Sequence, residues 1–134
     1  MTEQNKALVL RFVHELIQES NIAVVDELIA DDFVDHDAPA DQVKGPQGVK
    51  ATFSKMKGVL ADFRVTTEDM IAEADKVVTR HCSEATHVGP FLGFPATGKR
   101  LHWTTISIYR IAAGKIAERW GLMDIRSLKR QLEG

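Results

Sequence analysis

The stretch Thr86-His87-Val88-Gly89-Pro90-Phe91-Leu92-Gly93-Phe94-Pro95-Ala96-Thr97-Gly98-Lys99 joins two segments rich in strand formers. Its three glycines and two prolines set unusual or fixed backbone angles, so it reads as a long structured β–β connection. Phe91, Leu92 and Phe94 are too apolar for a loop that merely faces water. Such a loop packs on a core or closes a pocket, and the expectation here is that it covers the open end of a cavity.

Outward from this loop the back half of the chain is sheet. Arg64–Ala72, Lys76–His87, Arg100–Ile111 and Lys115–Met123 are enriched in Val, Thr, Ile and aromatic residues. Ala74-Asp75 and Ala112-Ala113-Gly114 are tight turns between them, which predicts antiparallel hairpins. The front half is helical. Leu8, Val9, Phe12, Val13, Leu16 and Ile17 form one apolar stripe over residues 3–18, and Ala23–Ala30 repeats the pattern more briefly. Phe33-Val34 begins a short extended piece, and 37–46 is loop by composition. Pro46 suits the first turn of a third helix, with Val49, Phe53, Met56, Val59 and Leu60 on its face. The tail from about Asp124 to Leu132 reads as a short helix with Asp124 as its N-cap. Helices followed by an antiparallel sheet give an α+β class with the helices on one sheet face.

Composition narrows the function. The 134 residues suit a single domain, 1–134, 44% apolar and 27% charged, with a real core. A net charge of −2 with interspersed signs gives nucleic acid no electrostatic footing. No apolar run approaches the roughly 18 residues of a membrane span, and Met1–Lys6 has no signal-peptide pattern. The one cysteine, Cys82, makes no internal disulfide, so a cytoplasmic protein is expected.

The run Gly89 to Gly98, with Gly93-x-Pro95-x-Thr97-Gly98 inside it, resembles a signature of the SnoaL-like polyketide cyclases of the nuclear transport factor 2-like superfamily. The resemblance extends along nearly the whole chain. It takes in Phe33-Val34-Asp35-His36, Gly45-Pro46, Ile108-Tyr109-Arg110-Ile111, Gly114-Lys115-Ile116, Trp120-x-x-x-Asp124 and Gln131-Leu132-Glu133-Gly134. It implies a curved antiparallel sheet wrapped over three N-terminal helices around a conical cavity. It also implies a homodimer and a small hydrophobic ligand. The family's reaction is an aldol ring closure with no cofactor or metal, in which a cavity aspartate moves protons and a histidine polarises the carbonyl. On the resemblance these positions fall at Gly121 and Ser107. The Asp–Arg–Asp set of the related epoxide hydrolases would fall at His81 and Ser83 on its other strand. Neither machinery carries over.

Strand alternation then selects the residues that face a cavity. On the Lys76–His87 strand the odd positions, His81 and Ser83 among them, look inward, because Arg80 and Glu84 are costly in a cavity wall. On the next strand the odd face holds Trp103, Thr105, Ser107 and Tyr109. For the last strand hydrophobicity turns Ile116, Trp120 and Leu122 inward. The resemblance instead turns Ala117, Arg119, Gly121 and Met123 inward, and we follow it. Ile106, Ile108, Ile116 and Trp120 would then form an outer dimerisation face.

His36, His81 and Asp124 are the candidate catalytic residues. Phe53, Met56, Ser83, Phe91, Trp103, Ser107, Tyr109, Arg119 and Met123 are the candidate ligand contacts. Each has a plainer reading: Asp124 as a helix cap, His36 as a turn residue, His81 as a hydrogen-bonded wall residue, and the aromatics as core. An inward Arg119 needs a partner such as Asp124 or Glu118, or an anionic ligand. His14, His87 and His102 share no face, so no metal site is expected. Three functions follow. One is a cofactor-free cyclase, isomerase or hydratase acting on an apolar carbonyl compound. The second is a binding protein for a small hydrophobic ligand, and the third an accessory dimer with a packed cavity.

Overall fold

The division between a helix-periodic front half and an alternating back half is what the computed structural model shows, for residues 1–38 and 42–134. The predicted loop at 37–46 includes residues 39–41, which lie outside that description. Helix α1 (Thr2–Arg11) continues into a π-helical segment, Phe12–Gln18, and the stripe of Val9, Phe12, Val13 and Leu16 is buried. A 3₁₀ turn (Ile22–Val24) leads into α2 (Val25–Leu28). The helix expected through Ala30 stops short, because Ile29 is already extended and opens β1 (Ile29–Asp35). Next come α3 (Gly45–Lys57), with Pro46 in its first turn, then β2 (Leu60–Glu73) and β3 (Lys76–His87). The chain ends with β4 (Arg100–Ala112), β5 (Lys115–Met123) and α4 (Ile125–Glu133). No helix is long and apolar enough to cross a membrane.

The five strands form one sheet in the order β1-β5-β4-β3-β2. The run from β2 to β5 is the expected antiparallel series. The sheet as a whole is mixed, however, because β1 lies parallel to β5 with Asp35 opposite Arg119. Two register breaks in β2, at Ala61/Arg64 and Thr67/Asp69, bend the strand as extra residues in a ladder do. The concave face closes over α1, its π-helical extension and α3. Val77 and Tyr109 join the α1 side chains in one core cluster, while Leu101, Trp103, Leu128 and Leu132 form a second under α4.

On β3 and β4 the residues assigned inward by alternation are buried, from Val77 to His87 and from Leu101 to Ile111. On β5 the two competing parities each hold for part of the strand. Ile111 pairs with Ile116 and Arg110 with Glu118, leaving Ala117 as an extra residue. This bulge turns Ile116 into the core, fully buried, and still directs Arg119, Gly121 and Met123 to the concave side. Ile116 therefore leaves the expected dimer face.

The loop that opened the sequence reading does not cover the cavity. Val88 and Gly89 donate to the Val59 carbonyl, and a Cβ on Gly89 would stand 2.3 Å from the Gly58 oxygen, so the two backbones meet where only glycine fits. Phe91 and Phe94 exchange backbone hydrogen bonds of 2.9 Å around Leu92-Gly93. His87 Nδ1 accepts from the Thr97 backbone N–H, which anchors the far end of the loop. The apolar side chains pack against the second core cluster, with Leu101, Leu128 and Leu132, and none of Phe91, Leu92 and Phe94 lines the cavity.

Candidate active site

A cavity of about 380 Å³ opens on the concave face, so the packed-interior reading is set aside. Its apolar wall comes from Phe53 and Met56 of α3, Phe63 of β2, Trp103 of β4 and Met123 of β5. The polar groups are few. His81, Ser83, Thr105 and Arg119 line the wall, and Ser20 with the exposed Lys57 and Asp37 completes the polar lining. The cavity thus combines wide hydrophobic walls with a small set of convergent polar groups, as small-molecule sites do.

Arg119 organises the polar side. Its Nη1 donates to both oxygens of Asp35, at 3.2 and 3.1 Å, and its Nη2 donates to Ser107 Oγ at 3.1 Å. A Cβ built on Gly121 would lie 2.2 Å from that Nη2. The guanidinium therefore occupies the space a side chain at 121 would take, and the small residues Gly121 and Ser107 make its seat. Burial opposes its charge, but the adjoining Tyr109 and Asp35 outweigh that and hold its pKa above the ordinary value.

Next along the wall, His81 is 3% exposed and its Nδ1 is buried without a hydrogen-bond partner. Loss of solvent and the Arg119 charge lower its pKa to about 4, so the imidazole is neutral at pH 7. Asp37 Oδ2 accepts from the Gly121 backbone N–H at 2.8 Å, and the Asp37 N–H donates to Asp35 Oδ1 at 3.0 Å. Asp35 thus holds the guanidinium and the turn that carries Asp37 together.

Of the residues singled out in the sequence, His81, Phe53, Met56, Ser83, Trp103, Arg119 and Met123 meet at this cavity. Five do not line it. Ser107 is wholly buried behind the Arg119 guanidinium. Tyr109 is core, edge-on to Phe12 with ring centroids 5.5 Å apart. Phe91 lines a separate groove between its loop and α3. His36, in the turn after β1, lies on the outer face, where its ring stacks on Trp120 at 4.8 Å and its Nε2 meets Glu118 Oε2 at 2.7 Å. Hydrogen bonds from His36 and from Arg110 hold the Glu118 carboxyl below the usual carboxylate range. Asp124 is the cap of α4, accepting from Ser127 N–H at 3.0 Å. Neither Glu118 nor Asp124 is the partner of Arg119; that partner is Asp35.

Asp35 and Asp37 were missed. The sequence signal for Asp35, the last residue of β1, is the inward Arg119, which requires an acid. Asp37 lies beyond the strand, in the turn, where alternation assigns no face, and it borders the outer-face groove as well as the cavity. Among the described residues no cluster of His, Cys, Asp and Glu able to hold a metal ion is found.

The family model of the SnoaL-like polyketide cyclases matches residues 7–132. No curated protein sequence matches the chain. Among solved structures, TsrD from Streptomyces laurentii is 27% identical with a TM-score of 0.89, covering 98% of this chain and 96% of its own. A candidate polyketide cyclase from Acidithiobacillus ferrooxidans is 25% identical with a TM-score of 0.86, covering 97% and 94%. An LEH-like epoxide hydrolase of M. tuberculosis shares the fold, at 19% identity and a TM-score of 0.76 over 98% of this chain and 91% of its own.

Proposed function

The chain belongs to the SnoaL-like polyketide cyclase family, and on that premise we propose that it binds a small apolar carbonyl compound and moves a proton beside the carbonyl without a cofactor. The observation that carries this reading is the seating of Arg119. A desolvated guanidinium is fixed by Asp35 and Ser107 at the edge of an apolar cavity. A cation held in advance of the reaction stabilises oxyanion charge as it develops, and at no reorganisation cost. Its hydrogen bonds to Asp35 and Ser107 use three of its five N–H protons, with Tyr109 adjoining the group. The reading takes Gly121 and Ser107 as the places of the family's aspartate and histidine, as the resemblance implies, so the chemistry differs from the family's own.

A second reading, binding without turnover, is favoured by one observation. With its pKa near 4, His81 is a weak proton acceptor. Benzo-fused cyclic ketones such as 2-tetralone separate the two. We expect saturable quenching of Trp103 fluorescence, an affinity at least about tenfold weaker in Arg119→Gln, and protein-catalysed exchange of the α-protons in D₂O. Binding without exchange supports the second reading. No binding across the ketone panel overturns both.

We also propose a cytoplasmic homodimer. The compartment is supported by the single thiol, Cys82, and the assembly by the apolar outer sheet face. There Leu122 is 76% and Ile106 49% exposed, beside Ile108 and Trp120. Sedimentation equilibrium is expected to give twice the chain mass at micromolar concentration, and Leu122→Lys with Ile106→Lys to give the chain mass. A monomer before substitution overturns the pairing.

A further inference from the structure

We propose that Asp37 is the general base of the cavity, a carboxylate brought from the end of β1 to the backbone of Gly121. The inference rests on the carbonyl-compound reading above and names the group that moves its proton. Among the described residues Asp37 is the only carboxylate in the cavity lining. Its Oδ2 is fixed by the Gly121 N–H at 2.8 Å, which leaves Oδ1 to act on a ligand.

A side chain at 121 would meet the Arg119 guanidinium, which occupies that space. The carboxylate at this corner of the cavity comes from another segment. The parallel pairing of β1 with β5 delivers it, and Asp35 sets its position. One oxygen of Asp35, Oδ1, accepts from both Arg119 Nη1 and the Asp37 N–H. The proton acceptor and the oxygen-binding cation are thereby tied to a single carboxylate. His81 does not compete for the role, because it is neutral and weakly basic beside the Arg119 charge. It remains a neutral hydrogen-bonding group on the wall.

The step balances within the site. The ligand's α-C–H bond breaks and its proton forms an O–H bond with Asp37 Oδ1. The electron pair moves through the new carbon–carbon double bond onto the carbonyl oxygen, whose negative charge lies on Arg119. Return of the proton from Asp37 to the same carbon is exchange, and its delivery to a different carbon of a conjugated enolate is isomerisation. Attack of the enolate on a second carbonyl of the same molecule forms the ring carbon–carbon bond and an alkoxide, which takes the proton from Asp37. At the rim Asp37 is in water until a ligand covers it, and a carboxylate that loses water becomes a stronger proton acceptor. Apolar ligands that cover the rim are therefore the ones that activate it.

The test measures 2-tetralone binding and deuterium exchange at its α-carbons by NMR, in the full chain and in variants. Asp37→Asn keeps an oxygen for the Gly121 N–H. It is expected to bind 2-tetralone within about threefold of the parent and to exchange it at least about 100-fold more slowly. Asp37→Glu is expected to recover part of the rate, and Asp124→Asn on the outer face to leave it unchanged. Should Asp37→Asn fold poorly, the acid limb of the parent's pH–rate profile decides. A midpoint that stays put on warming, as a carboxylate's does, supports Asp37, and one that moves as an imidazole's does overturns it. More than a tenth of the rate retained in Asp37→Asn overturns the proposal. So does loss confined to Asp124→Asn. Binding without exchange by the parent overturns Asp37 as a base and leaves the pocket standing, whereas absence of binding sinks both.

Discussion

Asp35→Ala is expected to cost about 3 kcal/mol of stability and to lower the melting temperature by about 10 °C. The reason is the charge left behind. Arg119 is paired with Asp35 at 3.1 Å, with side-chain exposures of 21% and 14%. Removing one member of a buried pair strands the other in a poorly solvated site, at about 3–5 kcal/mol when burial is complete. The residual exposure here places the loss at the lower end. The Asp37 N–H also loses its acceptor, and the parallel β1–β5 contact loses its side-chain bridge at the Asp35/Arg119 register. Asp35→Ala with Arg119→Met should recover a large part, since an apolar side chain needs no counter-charge. Urea unfolding of the parent, both single variants and the double variant closes the cycle. A coupling below about 0.5 kcal/mol would mean that the guanidinium is solvated and the pair is incidental.

The fold was legible because burial and strand alternation repeat along long segments. Lys76–His87 and Lys115–Met123 begin and end where their composition says. Their inward residues were assigned from the cost of placing Arg80 and Glu84 in a wall. What local pattern could not supply was the partner of β1. Strand Ile29–Asp35 finds its place only through β5, which lies 80 or more residues further along the chain, and its first residues carry a helix-like apolar pattern. The bulge at Ala117 was hidden for a related reason. Each parity for β5 explained half of the strand, and one extra residue reconciles them.

The site was legible where it depends on strand parity and illegible where it depends on pairing. His81, Ser83, Trp103 and Arg119 follow from alternation. Asp35 and Asp37 required knowing that β1 runs beside β5. His36 is expected at the pocket from its place just after the short strand, as the resemblance implies, but in the turn its ring goes to Trp120 and Glu118 on the outer face. The absence of a side chain at 121 reads as a loss when position 121 is considered alone. Beside Arg119 it is a requirement, because the guanidinium and any Cβ at 121 compete for one volume. A return to an acid at 121 therefore entails moving Arg119, and a histidine in place of the wholly buried Ser107 would take the rest of the same seat.

Acidification from pH 7 to pH 5 is expected to remove about 2 kcal/mol of stability through His81 alone. Its pKa in the folded chain is lowered to about 4, by burial and then by the Arg119 charge, against about 6.5 for a free imidazole. Between those values the unfolded chain binds the proton and the folded chain does not. Stability is therefore fully present above pH 6.5 and falls by up to about 1.4 kcal/mol per pH unit until about pH 4. His81→Gln removes the titration and should flatten stability between pH 7 and pH 5, measured by urea unfolding at both. Glu118, whose carboxyl is held low by His36 and Arg110, loses its contribution only as pH falls through and below the ordinary carboxylate range, so it barely enters this window. A parent as stable at pH 5 as at pH 7 would show that His81 takes up its proton in the folded state, and the neutral wall beside Arg119 would then be wrong. An anionic ligand seated on Arg119 removes the second of the two causes, so saturating 2-naphthoate should narrow the pH 5 to pH 7 difference in the parent and leave His81→Gln unmoved.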